Sequence, residues 1–112
     1  MSETKQLGKI QSVSFGMGGY QEGMIGIDFM LGSDDWGTTI HKGFWGPLTE
    51  ITDSTQWTHH DRNTQYADLV HYIGELLSAA KVRDVSELKN IPIEAIFENN
   101  VLKSWRILGE VI

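Results

Sequence analysis

Ten of the twelve glycines in this chain lie in residues 1–46, and they alternate with aromatics: Phe15-Gly16, Gly18-Gly19-Tyr20, Trp36-Gly37 and Gly43-Phe44-Trp45-Gly46. Glycine has no Cβ and accepts positive φ, so such a segment turns sharply and lets another backbone or a ligand come close. The large aromatics beside those gaps offer flat apolar surface. The combination suits a small, tightly turned β-sheet, either as a binding surface or as close packing with no ligand.

Strand periodicity supports the sheet. Residues 7–15 read as a first strand, ended by the Gly16–Gly19 cluster, with residues 1–6 expected as a flexible N-terminal tail. In residues 23–31, Ile25, Ile27, Phe29 and Leu31 alternate with Met24, Gly26, Asp28 and Met30, a period of two. The turn Gly32-Ser-Asp-Asp35 follows. A third strand then runs from Trp36 to Trp45, with Trp36, Thr38, Ile40, Lys42 and Phe44 on one face and Thr39, His41, Gly43 and Trp45 on the other. Residues 48–57 carry a weak signal in Leu48, Ile51 and Trp57, read as an edge strand or a crossing loop.

The period then changes. Tyr66, Leu69, Val70, Ile73, Leu76, Leu77 and Ala80 repeat at the spacing of one helical face. Thr58 and Asp61 form a capping-box pattern that places the helix start near residue 59. Lys81 and Arg83 suit its C-terminal end. Gly74, inside it, either faces solvent or allows a close approach. Asp84-Val-Ser-Glu87 caps a single further turn. A closing hairpin follows, with Ile93, Ala95 and Phe97 alternating, a turn at Glu98-Asn99-Asn100, and a last strand over 101–112. The expected fold is one α+β domain over residues 1–112: a single twisted antiparallel sheet of about five strands, in the order β-β-β-α-β-β, with one long helix packed on one face.

Composition removes several chemistries. The 112 residues contain no cysteine, which excludes disulfides, Cys-ligated zinc and thiol catalysis. Apolar residues at 40% and charged residues at 21% describe an ordinary soluble globular protein. No apolar stretch follows Met1, so no signal peptide is expected, and no run approaches the ~20 residues of a membrane span. Nine basic against fifteen acidic residues give −6, which argues against direct binding to a nucleic-acid backbone.

His59-His60-Asp61 invites a metal or acid–base reading, but adjacent helical residues point about 100° apart and do not converge on one ion. His60 and His71 share a face yet lie about 16 Å apart along the axis. The Gly16–Tyr20 loop lacks the Lys-Ser/Thr of a P-loop and joins two strands, so it reads as a hairpin turn. Asp61, Asp68 and Glu75 form a stripe on the outer helix face, either plain solvation or an acidic docking ridge.

The four tryptophans carry more. Trp36 and Trp45 stand at opposite ends and opposite parity of the third strand, so one should point away from the core. Trp45 is expected to be partly exposed beside His41, with Lys42 and Arg62 as neighbouring cations. An aromatic with basic neighbours can stack a base and hold a phosphate; the alternative is that every tryptophan is core. Trp36, His41, Lys42, Trp45 and Arg62 are therefore the candidate ligand- or partner-binding set. No catalytic residue, metal ligand or cofactor is assigned.

The stretches Gly8-Lys-Ile, Phe15-Gly-Met-Gly-Gly-Tyr-Gln21, Gly26-Ile-Asp-Phe29, Gly43-Phe-Trp45, Leu76-Leu-Ser-Ala-Ala-Lys-Val82 and Leu102-Lys-Ser-Trp-Arg-Ile-Leu-Gly-Glu-Val111 resemble a family of small proteins encoded by bacteriophages and prophages. The resemblance spans nearly the whole chain. It implies a phage gene expressed in the host bacterial cytoplasm, and no residue role. Small phage accessory proteins often act by binding. The expectation is thus a non-enzymatic counter-defence factor that inhibits a host protein or complex. Two alternatives remain: a binder that sequesters a nucleotide immune signal, and a hydrolase using His59, His60 and Asp61. The edge strands of so small a sheet suggest a homo-oligomer, by sheet extension or face packing.

Overall fold

The structure is a computed structural model that describes residues 3–18, 23–47, 49–52 and 55–112. Five antiparallel strands form one curled sheet: β1 (Glu3–Gly18), β2 (Met24–Gly32), β3 (Gly37–Trp45), β4 (Pro92–Glu98) and β5 (Val101–Ile107), in the spatial order β3-β2-β1-β4-β5. One helix, α1 (His59–Ala80), covers one face. The element order is the expected β-β-β-α-β-β.

Strand β1 joins two hairpins. Its first half, Glu3–Lys9, pairs with β4, and its second half, Lys9–Gly18, pairs with β2. The tail expected over residues 1–6 is strand from Glu3 onward. Thr4 and Gln6 pair with Phe97 and Ala95, and Lys103 holds Glu3 through a 3.0 Å ion pair. Polar residues on both sides of that segment hid it from a reading based on apolar alternation. A register shift between Ile10 and Ser12 leaves Gln11 as an extra residue, whose Nε2 donates to the Ser33 carbonyl.

Other boundaries moved for local reasons. Among the described residues of 48–57 there is no strand; the Thr52 amide donates to the Thr55 hydroxyl, and the Thr55 amide to the Thr52 carbonyl. Leu48 lies outside the described residues, as do Gly19 and Tyr20 of the expected hairpin turn. Strand β5 ends at Ile107 rather than 112, and a 3-10 turn over Gly109–Val111 follows. Asn99 and Asn100 both adopt positive φ (54° and 68°), the two-residue geometry that matches strand twist.

The helix starts where the sequence places it. Thr58 Oγ1 accepts from the Asp61 amide, and the Asp61 carboxylate accepts from the Thr58 amide. Lys81, in the left-handed conformation, ends it. The expected face packs on the sheet except at Val70, with Ile73, Leu76 and Leu77 lying against the core. Leu69 and Ala80 are buried, and Tyr72 packs edge-on against Phe29 at 6.5 Å. Val70 is 70% exposed, at the outer margin of a stripe wider than the sheet beneath it. Ile10, Ile27, Phe29, Leu31, Ile93, Ala95 and Ile107 supply the sheet side of the core, and Leu88 of a 3-10 turn (Val85–Leu88) closes one end.

Gly74 faces solvent, and a Cβ there would meet nothing within 4 Å. Gly74→Ala should therefore raise stability by about 1 kcal/mol, or roughly 4–6 °C in Tm, by removing the entropic cost of a helical glycine. Thermal unfolding followed by circular dichroism checks it; an unchanged or lower Tm would mean that the position is crowded.

Candidate functional site

The β2–β3 hairpin is symmetric about the Asp34–Asp35 bond, so its register runs from Gly32↔Gly37 to Met24↔Trp45. Combined with the β1–β2 register, this places rows of residues across three strands on the face away from α1. Ser14, Asp28 and His41 form one row; Gly16, Gly26 and Gly43 form the next; Gly18, Met24 and Trp45 form the third. Alternation along each strand keeps all nine side-chain positions on that outer face.

The middle row is a trough floored by bare backbone. Its glycines on β2 and β3 are obligatory: a Cβ on Gly26 would lie 2.6 Å from the Gly43 Cα, and one on Gly43 would lie 2.6 Å from the Ile25 carbonyl oxygen. Gly16, at the other end of the row, is open, with nothing within 4 Å of a Cβ built on it. On one wall, His41 Nδ1 donates to Asp28 Oδ1 at 2.5 Å. That bond fixes the ring and turns Nε2 over the trough, 3.0 Å from where a Gly43 Cβ would stand. On the other wall is Trp45, 39% exposed, whose backbone carbonyl accepts from the Tyr66 hydroxyl.

The order Ser14–Asp28–His41 puts the carboxylate between hydroxyl and imidazole. The β1 and β3 strands stand about 9.6 Å apart, so His41 does not reach the Ser14 proton as a nucleophile's base must. What the row offers instead is hydrogen bonding: one imidazole nitrogen, a hydroxyl and a carboxylate oxygen beside an apolar ring.

The five candidate residues divide. His41 and Trp45 share the outer face. Lys42 lies on the opposite face, with its ammonium 5.1 Å from the Tyr72 ring centroid and 5.9 Å from that of Phe44; strand alternation requires this. Burial holds the Tyr72 hydroxyl above the usual phenol range. Trp36 sits at the far end of β3, packed edge-on against Phe97 at 5.4 Å, with its Nε1 donating to the Leu7 carbonyl. Arg62 is in the first turn of α1, on the helix-covered side. The grouping of Trp45 with Lys42 is thus corrected. Asp28 is the residue that the sequence reading missed, although a hairpin centred on Asp34-Asp35 would have paired it with His41.

His59 and His60 are exposed, and Asp61 is committed to the helix cap. His71 pairs with Glu75 at 3.3 Å. Trp105 packs on Phe29 at 5.7 Å, and Trp57 donates to Gln65. A concavity of about 230 Å³ between α1 and β5 is lined by Tyr72, Glu75, Leu76, Trp105 and Arg106, but Arg106 there is already bound to Glu94 and Glu110. Those carboxylates hold its guanidinium above its ordinary range, and Arg106 in turn holds Glu110 below its own.

Fold and site together define an α+β protein with an open, glycine-floored sheet face. Among the described residues no helix is long and apolar enough to cross a membrane. The chain matches no protein-family model, no curated protein sequence and no solved structure.

Proposed function

We propose that this chain is a small non-enzymatic binding protein that grips a host protein through the outer face of β1, β2 and β3, in keeping with a phage counter-defence factor. The observation that carries the reading is the glycine row Gly16–Gly26–Gly43 beside the oriented His41–Asp28 pair. A bare-backbone trough lets another chain approach closely, and the imidazole supplies one directed hydrogen bond. The resemblance to phage and prophage proteins supports a bacterial target.

Electrostatics favour a protein over a sequestered nucleotide. Asp28 repels an anion. By alternation Lys9, in the row of Gly32 and Gly37, shares this face, and so does Lys5 of β1, still farther from the trough. Lys9 stands about 20 Å along the strands from the glycine row. A phosphate over the trough therefore finds no unpaired cation among the described residues of these rows.

Gly16 makes a clean test, because a larger side chain there fills the trough without touching the fold. With wild type as bait in bacterial lysate, a defined host protein should be retained. Gly16→Val should reduce that capture at least about tenfold at unchanged Tm, and His41→Ala should weaken it by a smaller factor. Equal capture by wild type and Gly16→Val would sink the reading, as would a thermal shift of wild type with nucleotides that Gly16→Val abolishes.

A further inference from the structure

Among the described residues, Ser14–Gly18 of β1 pairs with β2 along one edge and offers its other edge to no strand. Just before it that edge is covered: the Ile10 amide donates to the Ile91 carbonyl, and the Asn90 amide to the Ile10 carbonyl. Beyond the Gln11 bulge, the remaining segment Ser14–Gly18 carries neither a charged residue nor a proline to blunt an open edge. The outer strands, by contrast, are guarded by Lys42 on β3 and by Lys103 and Arg106 on β5. On the helix side of the open edge, Phe15 (49%), Met17 (52%) and Val70 (70%) are exposed together, and Phe15 and Val70 border an apolar cleft of about 220 Å³.

We propose that two copies of the chain pair through this edge, antiparallel about Gly16, and that the pairing completes the trough. Charge permits a second copy at this edge. Each chain carries −6, so two copies repel one another except where they meet on neutral surface, and Gln11–Gly18 is such a surface. An identical strand also satisfies the two-fold symmetry of an antiparallel pair without further adjustment.

In this register Phe15 lies opposite the partner's Met17, a favourable sulfur–aromatic contact, with Val70 flanking it. Gly16 lies opposite the partner's Gly16. The row Gly43–Gly26–Gly16 then runs on into the partner's Gly16, and one trough crosses both sheets. Five strand residues with Phe15, Met17 and Val70 offer on the order of 500 Å² per copy, the low end for a specific dimer. A micromolar dimer is the result. The use of the trough rests on the binding reading above; the pairing of β1 does not.

Because the chain has no cysteine, single-cysteine variants report the register directly. Wild type should sediment as a dimer of the 12.6 kDa chain at about 100 µM, and Met17→Lys as a monomer with native circular dichroism. Under mild oxidation Gly16→Cys should form a disulfide dimer at least about tenfold faster than Thr39→Cys, which is exposed but remote from the axis. Should Met17→Lys fail to fold, Val70→Lys on the helix surface must shift the equilibrium towards monomer. A monomeric wild type at that concentration overturns the proposal. So does a dimer indifferent to both lysines, or faster cross-linking at Thr39. Sedimentation does not depend on a host partner, so loss of the dimer and loss of partner capture are separate results.

Discussion

Replacing Gly26 with alanine should cost about 3 kcal/mol or more, the upper range of overpacking penalties, whereas Gly16→Ala in the same row should cost nothing. At Gly26 the new methyl would lie 2.5 Å from the Lys42 carbonyl oxygen and 2.6 Å from the Gly43 Cα. Both are backbone atoms of a strand held by its ladder, so neither can step aside as a flexible side chain would. At Gly16 the methyl meets open space, and alanine removes some unfolded-chain entropy, a gain of roughly 0.5–1 kcal/mol. Urea unfolding of the two variants decides the point: similar midpoints would mean that Gly26 and Gly43 do not face each other.

Phe29→Ala should lose about 3–5 kcal/mol, the usual range for emptying a buried aromatic site. Phe29 is 1% exposed and joins three elements, with Tyr72 of α1 at 6.5 Å and Trp105 of β5 at 5.7 Å. Its removal therefore loosens the helix from the sheet as well as opening a cavity. Domains of this size have about 5–15 kcal/mol in total, so the variant should be marginal at room temperature. Tryptophan fluorescence during urea unfolding provides the measurement, with Trp105 as the nearby reporter. A loss below about 1 kcal/mol would show that α1 is not anchored through Phe29.

The local signals in this chain were strong. The Thr58–Asp61 box, the alternation of Ile25, Ile27, Phe29 and Leu31, and the Asn99-Asn100 turn each depend on neighbours within a few residues, and each reads directly from the sequence. The long-range facts did not. Nothing local says that β1 divides its two halves between β4 and β2, and the polar run Glu3-Thr4-Lys5-Gln6 leaves no apolar period. Val70 continues the helical stripe in sequence, yet the sheet ends short of it. At the candidate site, strand parity put His41 and Trp45 on one face and gave Asp28 the same parity on β2. The pairing of Asp28 with His41 needed the register as well. Proximity along the chain suggested Lys42 as a neighbour, and alternation sends it to the opposite side of the sheet.

The contact surface can be located without first naming the partner. A 12.6 kDa chain gives resolved amide spectra, so ¹⁵N-labelled protein can be observed directly in unlabelled bacterial extract. Line broadening or shifts should concentrate at Ser14, Gly16, Gly26, Asp28, His41, Gly43 and Trp45, and Gly16→Val should suppress them. Broadening centred on the exposed face of α1, or spectra unchanged by the extract, would contradict a binding role for the glycine-floored face of the sheet.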